Sequence, residues 1–272
     1  MKYLSLLLSI SISLLAWPNP PAHAQLIMGS RPVAMGQASA ALPGLEWALF
    51  ANPATMHTDK RSISFFGIRY YGFPELTDLA AAANIPTRWG VVGAGAHRYG
   101  FDLFSESRIR LGYKNRFRNF HYGLTLNYTH ISQGGGYGSA GAWGVDAGMA
   151  AAIFDRFWIG ARAVNLNQPA YGKGDSAEPL PRELAVGFSY RMSELTLMAV
   201  DVVKDVRFPA SFRGGVEITV VNDFYARAGV TTEPNTFSIG FGYSTSLWTV
   251  NVAAQHHAEL GISPGLDLGI HW

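Results

Sequence analysis

The sequence contains no cysteine and few charged residues. Of its 272 residues, 15% are Asp, Glu, Lys or Arg, whereas about 25% is usual in a soluble globular domain. The absence of cysteine excludes a disulfide framework, a zinc–thiolate site and a thiol nucleophile, and we predict no cofactor and no metal. The formal net charge of +2 argues against a nucleic-acid partner, which usually requires a basic excess on one face.

Long apolar runs are also missing after residue 24. No later segment has 18 consecutive apolar residues, so no transmembrane helix is predicted. Near the N-terminus, Lys2 precedes an apolar stretch at 3–17, and Ala22-His23-Ala24 follows a proline-rich break. This order predicts a secretory signal peptide over residues 1–24, with a membrane anchor as the alternative. The exported remainder is then soluble, peripheral or a transmembrane β-barrel.

After residue 61, apolar residues alternate with polar or small ones. The clearest examples are segments 108–114, 120–129, 237–244 and 266–272. Strict alternation predicts β-strands with one apolar and one polar face. About fourteen such strands are predicted, and those near 76–85 and 194–204 alternate least. They lie near 62–71, 76–85, 89–99, 104–114, 119–131, 138–153, 156–166, 182–191, 194–204, 210–221, 223–232, 236–245, 247–257 and 263–272.

The connections between these strands follow a second pattern. They are tight after even-numbered strands and mostly longer after odd-numbered ones, which is typical of a bacterial outer-membrane barrel with its tight turns in the periplasm. The polar face is rich in Gly, Ser, Thr and Asn and fits a narrow lumen. We therefore predict an all-β, antiparallel transmembrane β-barrel of about fourteen strands over residues 61–272, with a secreted β-sandwich as the alternative. Its location is the cell outer membrane of a Gram-negative bacterium.

The C-terminal strand carries a further feature. Leu268, Ile270 and Trp272 share its apolar face. A terminal aromatic residue on this face resembles the signal by which barrel-assembly machinery recognises outer-membrane substrates. Outer-membrane lipid and that machinery are therefore expected partners.

Residues 25–60 do not alternate, and we predict that they form an N-terminal hatch inside the lumen. Two short motifs occur there, R-x-x-A-M-G-x-A at 31–38 and N-P-A at 52–54. Together with the strand plan they resemble the FadL-type outer-membrane fatty-acid-transporter superfamily, most closely its PorV/PorQ-like branch. Ala34 stands where many members have Gly. The residues that carry the motif are Arg31, Met35, Gly36, Ala38, Asn52, Pro53 and Ala54.

The resemblance implies two functions. In the PorV-like branch the barrel is an accessory of type IX protein secretion that binds cargo or translocon components, and this is our first expectation. In the transporter branch, hydrophobic molecules bind outside, pass the hatch and leave sideways through an opening in the barrel wall. Passive transport of a hydrophobic small molecule is therefore the alternative.

The spacing of one histidine and one serine resembles a catalytic pair of an enzyme. His130 and Ser132 reproduce the H-x-S spacing of outer-membrane phospholipase A, although Gln133 stands where that family has Asn. Residues two apart on a strand share a face, so the histidine could act as the base for a serine nucleophile. A lipase is a minor alternative, and we expect the chain not to be an enzyme.

The polar face of the strands supplies candidates for the lumen. They form a polar passage, a surface that docks the hatch, or inward ion pairs that fill the barrel. A shift of one residue in register would turn them outward, where an Arg at mid-bilayer costs ~2–4 kcal/mol. The ten candidates are Arg108, Arg110, Asp146, Arg162, Arg213, Glu217, Arg227, Asn251, Gln255 and Asp267.

Overall fold

The alternating segments form the wall of one closed antiparallel β-barrel. The computed structural model describes residues 27–135, 138–172 and 177–272, so the predicted signal peptide lies outside the described residues. Each barrel strand pairs with the next barrel strand along the chain, and the first pairs with the last to close the ring. The predicted fourteen-stranded barrel is confirmed.

Sixteen strands are described, of which β8 and β9 form a separate two-stranded sheet and the other fourteen form the barrel. In chain order they are β1 Ser62–Arg69, β2 Thr77–Thr87, β3 Gly90–Phe101, β4 Phe104–Phe117, β5 Phe120–Gln133, β6 Gly138–Phe154, β7 Phe157–Val164, β8 Ala170–Tyr171, β9 Glu178–Pro179, β10 Glu183–Arg191, β11 Thr196–Asp205, β12 Ser211–Val221, β13 Phe224–Thr232, β14 Asn235–Ser244, β15 Trp248–His257 and β16 Gly261–His271.

Among residues 27–135, 138–172 and 177–272, helical structure consists of single turns. Helix α1 covers Ser30–Ala34, and 3-10 turns occur at Ala48–Phe50, Pro53–Thr55, Tyr70–Gly72 and Pro74–Leu76. In the described part of the chain, no helix has the length and apolar character needed to cross a membrane.

The polarity of the two faces of the wall is the reverse of that in a soluble protein. On β4, Ile109 and Leu111 are each 58% exposed, whereas Arg108 and Arg110 are 2% and 3% exposed. Apolar side chains therefore point outward and polar ones point into the lumen. This is the arrangement of a transmembrane barrel, in which the exterior meets lipid.

The barrel has two rims, which we call the lower rim and the upper rim. The lower rim carries residue 272 and the tight turns at 88–89, 118–119, 155–156 and 222–223. The upper rim carries the longest connections, 70–76 and 165–182.

Two upper-rim connections are shorter than the sequence pattern predicts. Residues 102–103 and 233–234 are two-residue turns. The reason is that the flanking strands extend further than alternation indicates. Phe101 pairs with Phe104, and Thr232 pairs with Asn235.

Residues 27–60, called the plug below, lie inside the barrel. Helix α1 packs against the inner faces of β13–β16, and the 3-10 turn Pro53–Thr55 packs against β4–β6. Inward-facing glycines allow this close approach, since a Cβ on Gly215 would lie 2.4 Å from the Met35 carbonyl oxygen and one on Gly148 would lie 2.0 Å from Asn52 Oδ1. A barrel of this size is too wide to be filled by wall side chains alone, and the plug occupies the remaining space.

Candidate functional site

Asn52 in the Asn-Pro-Ala motif attaches the plug to the barrel wall. Its side chain is fully buried, donates to the carbonyl oxygens of Ala40 and Met149, and accepts a hydrogen bond from Ala54 N at 3.0 Å. The last contact caps the 3-10 turn that begins at Pro53, because an Asn at this position satisfies an otherwise unpaired N–H. One residue therefore joins two parts of the plug to β6.

Arg31 in the other motif forms the main ion pair between plug and wall. Its Nε and Nη2 atoms each donate to one Glu217 oxygen at 2.7 Å, and Arg227 Nε donates to Glu217 Oε2 at 2.6 Å. A bidentate arginine–carboxylate pair is both strong and directional. Met35, also of the motif, is buried beside Gly215.

Three further motif positions are also part of the packed plug. Gly36 lies against the backbone of Gly229 and accepts a hydrogen bond from Thr231 Oγ1 at 3.1 Å. Ala38 and Ala54 are fully buried. The role of these residues as a hatch stays a prediction.

Two aspartates on the wall bind backbone N–H groups of the plug. Asp201 Oδ2 accepts from Ser39 N at 2.7 Å and from Ala40 N at 2.8 Å. Asp267 accepts from Ser30 N at 2.6 Å and from Asn251 Nδ2 at 2.7 Å. Asp267 is among the predicted lumen residues, whereas Asp201 is not. The signal for Asp201 is its isolation as one carboxylate within the apolar stretch 195–203.

All ten predicted lumen residues are buried on the inner face, with exposed fractions from 1% to 7%. Most of them pair with each other or with residues that the sequence analysis does not name. Asp146 accepts from Arg110 at 3.3 Å, and Gln255 donates to Thr236 Oγ1 at 3.1 Å. Arg162 pairs with Glu183, which lies 3.7 Å from Arg213 on its other side. Their function as a passage or a docking surface stays a prediction.

Arg213, Glu217 and Arg227 do not form one cluster, although all three lie on the inner face of β12 and β13. Glu217 lies directly opposite Arg227 in the register of β12 and β13, and their side chains make contact. Arg213 lies four residues earlier on β12 and pairs with Glu183 instead. The second cation beside Glu217 is Arg31 of the plug.

A polar cavity of about 490 Å³ separates part of the plug from the wall at the lower rim. Its lining includes Arg31, Glu217, Arg227 and Asp267. Glu46 of the plug also faces it and lies 3.0 Å from His271 Nε2. Burial by itself raises the pKa of the Glu46 carboxyl, but its hydrogen bond with His271 and the nearby positive charges lower the pKa overall.

The inner surface of β1–β3 carries an apolar cluster beside the buried polar side chains of Ser62, Ser64, Asp78, Asn84 and His97. Phe66, Ile68 and Val91 are buried there in one cluster with Trp47 and Leu49 of the plug. The cluster continues towards the upper rim through three tyrosines whose neighbouring ring centroids are 6.2 Å apart. These are Tyr70, Tyr71 and Tyr99.

The outside of the same wall carries a shallow groove of about 430 Å³. Its lining includes Leu79, Ala81 and Ala96. Residues 80–83 are all alanine, and 93–96 are Gly-Ala-Gly-Ala. The β2–β3 ladder is continuous from Asp78↔Tyr99 to Thr87↔Gly90, so the wall is closed here, although it has almost no side-chain volume.

The remaining predicted residues lie on the outer face. His130 and Ser132 are half-buried near the upper end of β5. Among the hydrogen bonds of the described residues, none joins the two side chains. Leu268, Ile270 and Trp272 are 46%, 54% and 56% exposed on the outer face of β16 and after it. Their roles in catalysis and in assembly stay predictions.

These features define a transmembrane β-barrel whose lumen is filled by its own N-terminal segment. The fold is similar to that of solved channels for hydrophobic compounds. The toluene transporter TodX of Pseudomonas putida has a TM-score of 0.64 and 14% identity, over 91% of this chain and 97% of that chain. The monoaromatic hydrocarbon channel CymD has a TM-score of 0.63 and 13% identity, over 92% of this chain and 98% of that chain.

A FadL homologue of Pseudomonas aeruginosa is also similar, with a TM-score of 0.55 and 12% identity, over 91% of this chain and 99% of that chain. Identities this low show a shared fold, so the chain has the fold of FadL-type outer-membrane channels. The more specific resemblance to the PorV/PorQ-like branch is not confirmed. No protein-family model matches the sequence, and none of the curated proteins matches it.

Proposed function

We propose that this protein is an outer-membrane channel for the passive passage of hydrophobic small molecules. The observation that carries the proposal is the apolar cluster on the inner surface of β1–β3, which lies behind a wall patch made of alanine and glycine. A hydrophobic molecule entering at the tyrosines of the upper rim meets this cluster, and Asp78 and His97 also face the lumen there on β2 and β3. The wall beside that surface has the least side-chain volume to displace.

The polar cavity at the lower rim argues for a sideways exit. It is lined by charged groups of both signs, including Arg31, Glu217, Arg227 and Asp267. An apolar molecule gains no burial of apolar surface in such a cavity. Passage between β2 and β3 into the lipid avoids the polar cavity. This route requires the continuous ladder of the two strands to open transiently.

The similarity to TodX, CymD and the FadL homologue supports transport over the PorV-like secretion role that the sequence analysis places first. The upper rim adds little support for a cargo platform, because two of its connections have only two residues. We propose no enzymatic activity. Outer-membrane lipid, the barrel-assembly machinery and an apolar solute are the partners that this function requires.

A reversible disulfide between β2 and β3 tests the proposed exit. Ala81 and Ala96 are directly opposite in the register and both face outward, and the chain has no cysteine of its own. Opposed residues in an antiparallel pair have Cβ atoms ~4.5–5.5 Å apart, which approaches the spacing of a disulfide. We expect the oxidised Ala81→Cys/Ala96→Cys variant to lose uptake of a labelled monoaromatic hydrocarbon into vesicles, and reduction to restore it.

The matched control joins β12 and β13. Gly214 and Val230 are also directly opposite, and a Cβ on Gly214 meets no atom closer than 3.9 Å. The Gly214→Cys/Val230→Cys variant should transport equally well when oxidised and when reduced. Uptake that survives oxidation of the β2–β3 pair would overturn the sideways route. Absence of hydrocarbon uptake by the unmodified protein would overturn the transport function itself.

A further inference from the structure

Cationic side chains without acidic partners gather at one part of the lower rim. Arg88 lies in the β2–β3 turn, Lys114 and Arg116 lie at the end of β4, and Arg118 lies in the β4–β5 turn. Among the described residues, no carboxylate lies within 4.0 Å of any of the three arginines.

The arginines inside the barrel behave differently. Arg108, Arg110, Arg162, Arg213 and Arg227 each have a carboxylate partner on the wall. The wall therefore neutralises these five arginines, whereas Lys114, which is buried against Met56 of the plug, has no carboxylate within 4.0 Å among the described residues. The cluster at β2–β5 is left with positive charge that its own chain does not compensate.

These cations border two adjoining cavities at the mouth of the lumen. One has a volume of about 490 Å³ and the other about 310 Å³, and both are lined by Thr58, Lys114 and Arg116. Arg88 lines the first and Arg118 the second. Asp59, the one carboxylate on the described linings, has a side chain that is 71% exposed and lies 3.8 Å from His57.

A buried histidine marks the smaller cavity as a polar binding site. His121 lines it and is 7% exposed. Its Nδ1 atom has no hydrogen-bond partner in the described part of the chain, and its ring lies 5.0 Å from the ring of Trp158. A buried polar atom without a partner is uncommon. The neighbouring ammonium group of Lys114 donates one hydrogen bond, to the Met56 carbonyl, and has three N–H groups to offer.

We infer that this mouth binds a phosphate group, held by Lys114, Arg116 and Arg118, with His121 completing the pocket. Arginine and lysine together supply the directional and the flexible donors that a phosphate needs. The charged lining of the cavity of about 310 Å³ suits a headgroup and disfavours an acyl chain. Trp89 and Phe117 are 67% and 69% exposed beside it, which places the pocket where aromatic side chains meet the membrane interface. The phosphate belongs to a phospholipid or to a soluble anion. This inference does not depend on the transported molecule.

The two sources are separated by two measurements on the full chain. In phosphate-free detergent solution, calorimetric titration with inorganic phosphate reports a soluble anion. In vesicles of phosphatidylcholine with added phosphatidylglycerol, native mass spectrometry of the extracted protein reports retained lipid. We expect the Arg116→Gln/Arg118→Gln variant to bind about tenfold more weakly the probe that the unmodified protein binds, inorganic phosphate or phosphatidylglycerol.

Arg156 and Arg191 provide the matched control. They lie on the same rim at β7 and β10, and Arg156 already pairs with Glu194 at 2.6 Å. The Arg156→Gln/Arg191→Gln variant removes the same charge and should bind as the unmodified protein does. Equal weakening in both variants would show a diffuse charge effect and overturn the site.

Chemical modification provides a readout that needs no variant. Phenylglyoxal modifies accessible arginines, and bound phosphate should protect Arg116 and Arg118 but leave Arg156 reactive. Protection by inorganic phosphate identifies a soluble anion, and protection by phosphatidylglycerol alone identifies a lipid. Binding of neither probe, or no selective protection, overturns the inference.

Discussion

Glycines on the inner face of the wall set how closely the plug approaches the strands. At Gly215 a Cβ would lie 2.6 Å from Met35 Cα, and at Gly229 it would lie 2.1 Å from Gly36 N. These neighbours are backbone atoms, which cannot move aside as a flexible side chain can. The close contact of plug and wall therefore depends on the absence of single methyl groups.

Substitution of Gly215 by alanine tests this dependence. The added methyl group would overlap the plug backbone, and overpacking of this kind costs about 1–3 kcal/mol. We expect the Gly215→Ala variant to expose the plug to protease at lower urea concentration. Gly214→Ala is the adjacent control, because the nearest atom to its Cβ is 3.9 Å away. Equal protease resistance of the two variants would contradict the proposed contact.

Glu217 neutralises Arg31 of the plug and Arg227 of the wall at once. Replacing it by Gln leaves the buried guanidinium group of Arg227 and the partly buried one of Arg31 without this charged partner, which typically costs about 3 kcal/mol. We expect the Glu217→Gln variant to lose this amount in the free energy of unfolding, measured by urea titration in vesicles.

The control for Glu217 is an exposed pair. Glu194 and Arg156 have side chains that are 78% and 53% exposed, and such pairs contribute about 1 kcal/mol or less. Glu194→Gln should therefore change stability little. A loss for Glu217→Gln no larger than for Glu194→Gln would mean that the pair with Arg31 does not hold the plug.

At the scale of strands, the sequence predicts the barrel well because lipid outside and polar groups inside impose alternation. The two strands that alternate least, β2 and β11, show where that rule is relaxed. Ala80, Ala82, Leu197 and Ala199 point inward and are buried in the cluster that includes apolar plug residues. An apolar plug on the inside and lipid on the outside make both faces apolar, which removes the alternating pattern.

The plug itself has no pattern from which its path could be predicted. Its turns are held by wall groups distant in sequence, such as Asp201 for Ser39 and Asn84 for the Glu46 carbonyl. Contacts between elements, not local preference, determine its conformation. The weak alternation of β11 likewise explains why Asp201 is absent from the predicted lumen set, whereas Arg110 and Asp146 on strongly alternating strands are in it.

The outer face of the last strand leads to a prediction about assembly. Trp272 is 56% exposed beyond β16, and its backbone exchanges two hydrogen bonds of 3.2 Å with Arg61. If it is the signal for barrel-assembly machinery, Trp272→Ala should lower the heat-modifiable, membrane-inserted fraction severalfold in cells. Trp143→Ala, which removes an outward tryptophan that is 59% exposed, should assemble normally. Equal yields of the two variants would contradict a signal at the C-terminus.

At the scale of the whole molecule, the low charge content follows from the distribution of charge. Charged side chains lie in the lumen and at the rims, and the outer surface between the rims is apolar. In the lumen, the wall arginines are matched by carboxylates such as Asp146, Glu183 and Glu217. Without the plug, this inner surface would be exposed to water as a polar channel with little preference for the sign of an ion.

Deletion of residues 27–60 tests this description. The wall ladder is complete without the plug, so the barrel should still form, with reduced stability because the apolar cluster on β1–β3 loses its cover. In planar bilayers the full chain should conduct ions weakly, since the plug fills the lumen, and the deletion variant should conduct strongly, with similar permeability for cations and anions. The deletion variant should also take up polar solutes of a size similar to that of the hydrocarbon. A folded deletion variant, identified by heat-modifiable migration, that conducts no more than the full chain would show that another part of the chain closes the lumen.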